Sequence, residues 1–172
     1  MKNATYIVTT SAHLACEAAR AWEKVCFYEH IETQPSLLLR TVLPIPHRTS
    51  GAYRKVGDIS RCMYSDGGYL TKIMTRIVPG RIDFDIIEQS IRYSRNIALK
   101  GGTIVVEAND DGGCSVHMLT RYELRSRWFR LLRPGIDRVV SAMHKIVFTD
   151  MQIRLSNSVT APAVATSAME IA

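Results

Sequence analysis

The chain is predicted to form an α+β domain, a curved antiparallel sheet of about seven strands wrapped around one long C-terminal helix. Three observations lead there. Short β-branched and aromatic segments between residues 56 and 125 are separated by turn signals at Asp66-Gly67-Gly68, Val78-Pro79-Gly80 and Asn109-Asp110-Asp111-Gly112-Gly113. A basic, aromatic connector from Arg125 to Arg133 breaks that pattern. Pro134-Gly135 then opens a helical stretch to about Leu155, with Ile136, Val139, Val140, Met143, Ile146, Val147 and Met151 on one arc. A curved sheet cannot cover its own concave face, and a single helix laid against it tends to leave a cavity. The pattern therefore describes a container.

Tyr6–Thr10 is β-branched and reads as the first strand, with Ser11 as a helix cap. Apolar spacing then turns helical through Leu14, Ala18, Ala21, Trp22 and Val25, and Phe27–Thr33 offers a second short helix before Pro35. Leu37–Leu43 is a strand candidate stopped by Pro44-Ile45-Pro46, and His47–Tyr53 a polar loop. Val56–Tyr64 and Tyr69–Ile77 form a hairpin; Arg81–Glu88 alternates Ile82, Phe84 and Ile86 with Arg81, Asp83 and Asp85. After a polar joint at Ser90–Asn96, Lys100–Ala108 and Cys114–Arg125 form another hairpin. The Gly pairs 67–68, 101–102 and 112–113 read as turns at strand ends. Residues 1–155 are expected to make one ligand-binding domain and 156–172, small and polar, a disordered tail.

Composition narrows the function classes. A chain of 172 residues with 47% hydrophobic and 22% charged residues is an ordinary globular domain. There is no apolar run near the ~20 residues that a membrane span needs, and Met1–Thr5 lacks an apolar leader. A cytoplasmic protein is expected. Cys16, Cys26, Cys62 and Cys114 are widely spaced, so neither a thiolate metal site nor any other metal centre is expected. The net charge of +6 permits an anionic partner. There is no phosphate-binding loop, nucleophile elbow or zinc-protease motif, and no cofactor is expected.

The order of strand, helix pair, about six strands and one long helix resembles the helix-grip order of the START-like (SRPBCC) superfamily, and within it the polyketide cyclase/dehydrase and lipid-transport branch. The resemblance is carried by Ala18–Trp22, Lys55–Cys62, Gly102–Glu107, Leu119–Glu123 and Pro134–Asp137, and spans roughly residues 4–155. It implies a cavity between sheet and long helix that holds a hydrophobic small molecule, such as a lipid, polyketide or isoprenoid-like compound, for sequestration or transfer. It implies no particular reaction.

The expected cavity residues are Phe84, Met118, Thr120, Tyr122, Met143, His144, Val147 and Met151. In Ser115–Arg125 the set Val116, Met118, Thr120, Tyr122 and Leu124 is the better inward face, leaving His117, Arg121 and Glu123 outside. His144 and Tyr122 are the candidate proton carriers if the cavity hosts cyclase/dehydratase chemistry. For His144 the favoured reading is structural: a ring satisfied by a backbone carbonyl or a neighbouring strand. Asp150 falls inside the apolar arc, so it needs a partner, and Arg154 four residues on can supply it. Asp83 and Asp85 read as a solvated outer stripe. In the connector, Arg125, Arg127, Arg130 and Arg133 interleave with Trp128, Phe129, Leu131 and Leu132. The favoured reading has Trp128 and Leu132 plugging one end of the sheet with the arginines solvated. Contact with an anionic membrane ranks second and nucleic acid last.

Overall fold

The computed structural model describes residues 4–26, 46–52 and 54–160. The elements, in chain order, are β1 (Thr5–Leu14), α1 (Ala18–Cys26), β2 (Pro46–Gly51), β3 (Ile59–Tyr64), β4 (Tyr69–Val78), β5 (Arg81–Ser90), β6 (Ile97–Ala108), β7 (Cys114–Leu124), α2 (Arg127–Leu131) and α3 (Arg133–Thr160). The strands form one seven-stranded sheet in the order β1-β7-β6-β5-β4-β3-β2, and every described pairing is antiparallel. First and last strands lie side by side, as in the expected helix-grip order.

β1 is longer than its β-branched core. Tyr6, Val8, Thr10, Ala12 and Leu14 alternate inward, so Leu14 ends a strand and does not begin a helix, and Ser11 caps nothing. Its hydroxyl meets His117 Nδ1 across the β1–β7 ladder at 2.7 Å. α1 then buries Ala21 and Val25, with Ala18 and Trp22 packed beside them, as the helical spacing predicts. The second helix expected at Phe27–Thr33 and the strand expected at Leu37–Leu43 lie outside the described residues. The polar segment expected as a loop instead supplies β2, whose Arg48–Gly51 pairs with Ser60–Met63 of β3.

Curvature comes from irregular pairing. Register shifts occur between Thr71 and Lys72, between Met74 and Arg76, and between Leu99 and Gly101. Gly101 and Gly102 therefore lie inside β6, not at a turn. Gly101 has φ +145°, and a Cβ on Gly102 would come within 2.8 Å of the Phe84 ring, so the bare backbone lets Phe84 cross β6 closely.

The outer face is a polar lattice. Arg121 pairs with Asp85 at 2.8 Å, Arg81 with Asp83 at 3.0 Å and Lys100 with Glu123 at 3.6 Å, while Thr103 donates to Asp83. Asp83 and Asp85 thus face outward, held in ion pairs. Partial burial alone would raise the Asp83 carboxyl, but the Arg81 guanidinium and the Thr103 hydroxyl together outweigh it and hold the group below its ordinary range.

α3 packs on β1 and α1 and reaches Thr160, past the boundary expected at Leu155; residues 161–172 lie outside the described set. Its buried line runs through His144, Phe148, Met151 and Leu155. The main core joins Phe148, Met151 and Leu155 to Leu14, Val25, Val106 and Val116, and a smaller core gathers Val8, Tyr122 and Leu124. Among the described residues no helix is long and apolar enough to cross a membrane.

Candidate ligand cavity

α3 is solid along its C-terminal half and hollow along its N-terminal half. A cavity of about 710 Å³ lies between the first turns of α3, the short helix α2, and the inner face of β6 and β7. Ile136, Val139, Val140 and Met143 form its helical wall, Leu99, Thr120 and Tyr122 its floor, and Phe129, Leu131, Leu132 and Pro134 its rim. Tyr64 from the end of β3, Ile91, Arg92 and Tyr93 from the β5–β6 connection, and Ile97 of β6 also line it. The surface is overwhelmingly apolar, and its size falls within the ~300–1,000 Å³ usual for small-molecule sites.

Four of the eight expected cavity residues line it: Thr120, Tyr122, Met143 and His144. Phe84, Met118, Val147 and Met151 do not. They pack in or against the main core around Phe148, where the sheet and α3 touch directly and no room is left. The inward face of β7 is otherwise as predicted, with Val116, Tyr122 and Leu124 fully buried.

His144 is the polar centre of the inner face, only 4% exposed. Its Nδ1 lies 2.7 Å from Thr10 Oγ1 on β1 and its Nε2 2.8 Å from Thr120 Oγ1 on β7. A neutral imidazole has one donor and one acceptor nitrogen, and two hydroxyl rotors satisfy both. Burial pushes its pKa down to about 4, so the ring is neutral at ordinary pH. This is the strand-satisfied histidine of the structural reading.

Tyr122, fully buried, donates its hydroxyl to Asp137 Oδ1, while Arg133 Nε lies 3.3 Å from Asp137 Oδ2. The Arg133 guanidinium also lies 4.7 Å over the Tyr6 ring, itself 5.6 Å from the Tyr122 ring. Burial, reinforced by the bond to Asp137, raises the Tyr122 pKa, and burial raises that of Tyr64 as well. Both phenols stay protonated. Because Tyr122→Phe removes a hydrogen bond to a charged group, it should cost about 1.5–3 kcal/mol in urea unfolding with an unchanged m value.

Asp150 is 1% exposed and takes a 2.8 Å bond from Arg154 Nε, the i,i+4 pair expected from sequence. It sits at the solid end of α3 and is not on the cavity lining. No group of three or more potential metal ligands occurs among the described residues.

The connector departs from expectation. Trp128 does not plug the sheet: it is 76% exposed, Leu131 73% and Leu132 59%. Phe129 is the residue that turns inward, packing beside Tyr122 and Leu124 and lying 6.1 Å from the Tyr93 ring. Phe129, Tyr64, Ile91, Tyr93 and Leu99 line the cavity without being among the residues expected there from the sequence. A continuous apolar run at Ile97-Ala98-Leu99, just before the predicted strand, was the available signal for the last of these.

A curved antiparallel sheet gripping one long helix is the helix-grip architecture. Comparison with solved structures shows that fold for this chain. Norcoclaurine synthase from Thalictrum flavum, in complex with dopamine and hydroxybenzaldehyde, matches with a TM-score of 0.60 at 14% identity, over 90% of this chain and 88% of that one. A protein from Thermus thermophilus matches with a TM-score of 0.64 at 15% identity, over 89% and 99%. Ara h 8.0201 matches with a TM-score of 0.62 at 10% identity, over 90% and 99%. No protein-family model matches the chain, and no curated protein does.

Proposed function

We propose that the protein binds a hydrophobic small molecule in the cavity beside the N-terminal half of α3, for sequestration or transfer. The carrying observation is the cavity itself: about 710 Å³, walled largely by aliphatic and aromatic side chains, with Tyr64, Tyr93, Thr120, Tyr122 and His144 as its few polar groups and Arg92 as its one charged lining residue among those described. Such a site takes a largely apolar ligand and orients it by one or two hydrogen bonds. Lipids, polyketides and isoprenoid-like molecules share that chemistry. An aromatic pair, dopamine and hydroxybenzaldehyde, occupies the structurally similar norcoclaurine synthase.

That neighbour is a synthase, which raises a second reading: an enzyme of the cyclase/dehydratase type using the same cavity. Here the candidate proton carriers are already engaged. Both nitrogens of His144 face threonine hydroxyls, and the Tyr122 hydroxyl is donated to Asp137. Neither is poised to exchange a proton with a ligand, so binding is the better-supported reading.

The neutral fluorophore N-phenylnaphthylamine tests it. The protein should enhance its emission saturably, and Met143→Trp, which places an indole in the cavity, should weaken uptake by about tenfold or more. Undiminished uptake by a folded Met143→Trp protein would remove this cavity as the site.

A further inference from the structure

The short helix α2 carries apolar side chains that the fold leaves uncovered. Phe129 turns inward, but Trp128 and Leu131 of the same helix stay exposed. Trp128, Leu131 and the adjacent Leu132 form a stretch of large exposed apolar side chains, and Leu131 and Leu132 also line the cavity. Patch and cavity mouth are therefore one surface. Arginines surround it: Arg125, Arg127, Arg130, Arg133 and Arg138 are all exposed, with no acidic residue between Arg125 and Ile136. Arg127 and Arg130 make no ion pair among the described residues.

We propose that this face docks on the headgroup region of an anionic lipid bilayer, with Trp128, Leu131 and Leu132 at the interface and the arginines on lipid phosphates. Charge complementarity selects the partner. A second copy of the chain would bring one arginine cluster against another. A nucleic acid backbone would satisfy the arginines and a base could stack on Trp128, but Leu131 and Leu132 would gain nothing. A bilayer interface accepts all three kinds of side chain, since indoles favour the headgroup level and aliphatic chains the acyl boundary. Docked this way, the cavity mouth faces the membrane. Exchange of the bound molecule with the bilayer rests on the binding reading above; the docking does not.

The chain has two tryptophans, and Trp22→Phe leaves Trp128 as the reporter. With vesicles of phosphatidylcholine and phosphatidylserine in equal parts, Trp128 emission should shift to shorter wavelength and the protein should sediment with the lipid. With phosphatidylcholine alone both effects should be far smaller, and added salt should weaken the first. The double variant Arg127→Gln/Arg130→Gln, both surface changes, should keep its Tm and lose about 30-fold in partitioning, at the per-residue attraction usual for basic groups near such a surface.

Absence of any shift or sedimentation would overturn the docking, as would equal binding by the Gln variant or equal binding to neutral vesicles. RNA binding without vesicle binding would assign the surface to nucleic acid instead. A concentration-dependent dimer abolished by Trp128→Ser, again without vesicle binding, would assign it to a second copy. Uptake of N-phenylnaphthylamine in solution is read separately. If it fails while vesicle binding persists, the docking stands and the ligand reading falls; the converse result does the opposite.

Discussion

Phe148→Ala should destabilise the protein by about 3–5 kcal/mol, the usual cost of truncating a buried aromatic. Phe148 is 5% exposed and belongs to the core cluster with Met151, Leu155, Leu14 and Val116. Neighbours on the sheet, on α1 and on α3 itself fix the space around it, so the void cannot close without moving an element. The midpoint of urea unfolding should fall with m unchanged, and Tm should drop by roughly 10 °C for a domain of this size. Phe148 is not on the cavity lining, so the folded variant should still take up an apolar probe at low temperature. A loss below about 1 kcal/mol would mean that this half of α3 is not the packed core described here.

Between neutral pH and about pH 4.5, acid should weaken the fold through His144. His144 has a folded-state pKa of about 4 against an ordinary 6.5, the cause being burial. The unfolded chain therefore takes up a proton that the folded chain refuses. Stability linked to His144 is fully present above pH 6.5, falls as pH drops through the interval, and is lost by about pH 4. Between pH 7 and pH 4.5 the loss should be about 2–3 kcal/mol. His144→Gln keeps a side chain that can reach one threonine but cannot titrate. It should be less stable at neutral pH and markedly flatter across the interval. Urea titrations of both proteins at the two pH values decide the matter; parallel pH profiles would reject the assignment.

The sequence shows the architecture more clearly than the site, for physical reasons. Strands with an inner and an outer face announce themselves by alternation, as in β5 and β7, and Asp-Gly turns mark the ends of their hairpins. β2 has no such signal: Pro46–Gly51 shows no apolar alternation, and its backbone pairs with β3 at the edge of the described sheet. Leu14 reads equally well as the last inward position of a period-2 strand or the first of a period-3.6 helix, and only the ladder to Cys114 decides. On α3 the apolar residues exceed one stripe because the helix packs on the sheet and on α1 together. The arc read from sequence was therefore rotated away from Phe148, and it could not show that the helix is solid at one end and hollow at the other. Met143 and Met151 look alike on a helical wheel. Which of them meets a void depends on how far α2 and the β5–β6 connection stand off from the sheet, and no local pattern encodes that distance. Polar needs were easier to read. Asp150 demanded a partner and Arg154 was at the right spacing; His144 demanded one and two strand threonines supply it.

The division of α3 into two halves also bears on how this molecule can change. Residues such as Val139, Val140 and Met143 touch a void, so exchanging one aliphatic or aromatic side chain for another there alters the shape offered to a guest while removing few native contacts. The close-packed end around Phe148 and Met151 carries the folding energy and tolerates little. Variation in what is bound is thereby uncoupled from the risk of losing the fold. A lineage could drift from one guest to another through single substitutions at the hollow end, each nearly neutral for stability, without a compensating change elsewhere.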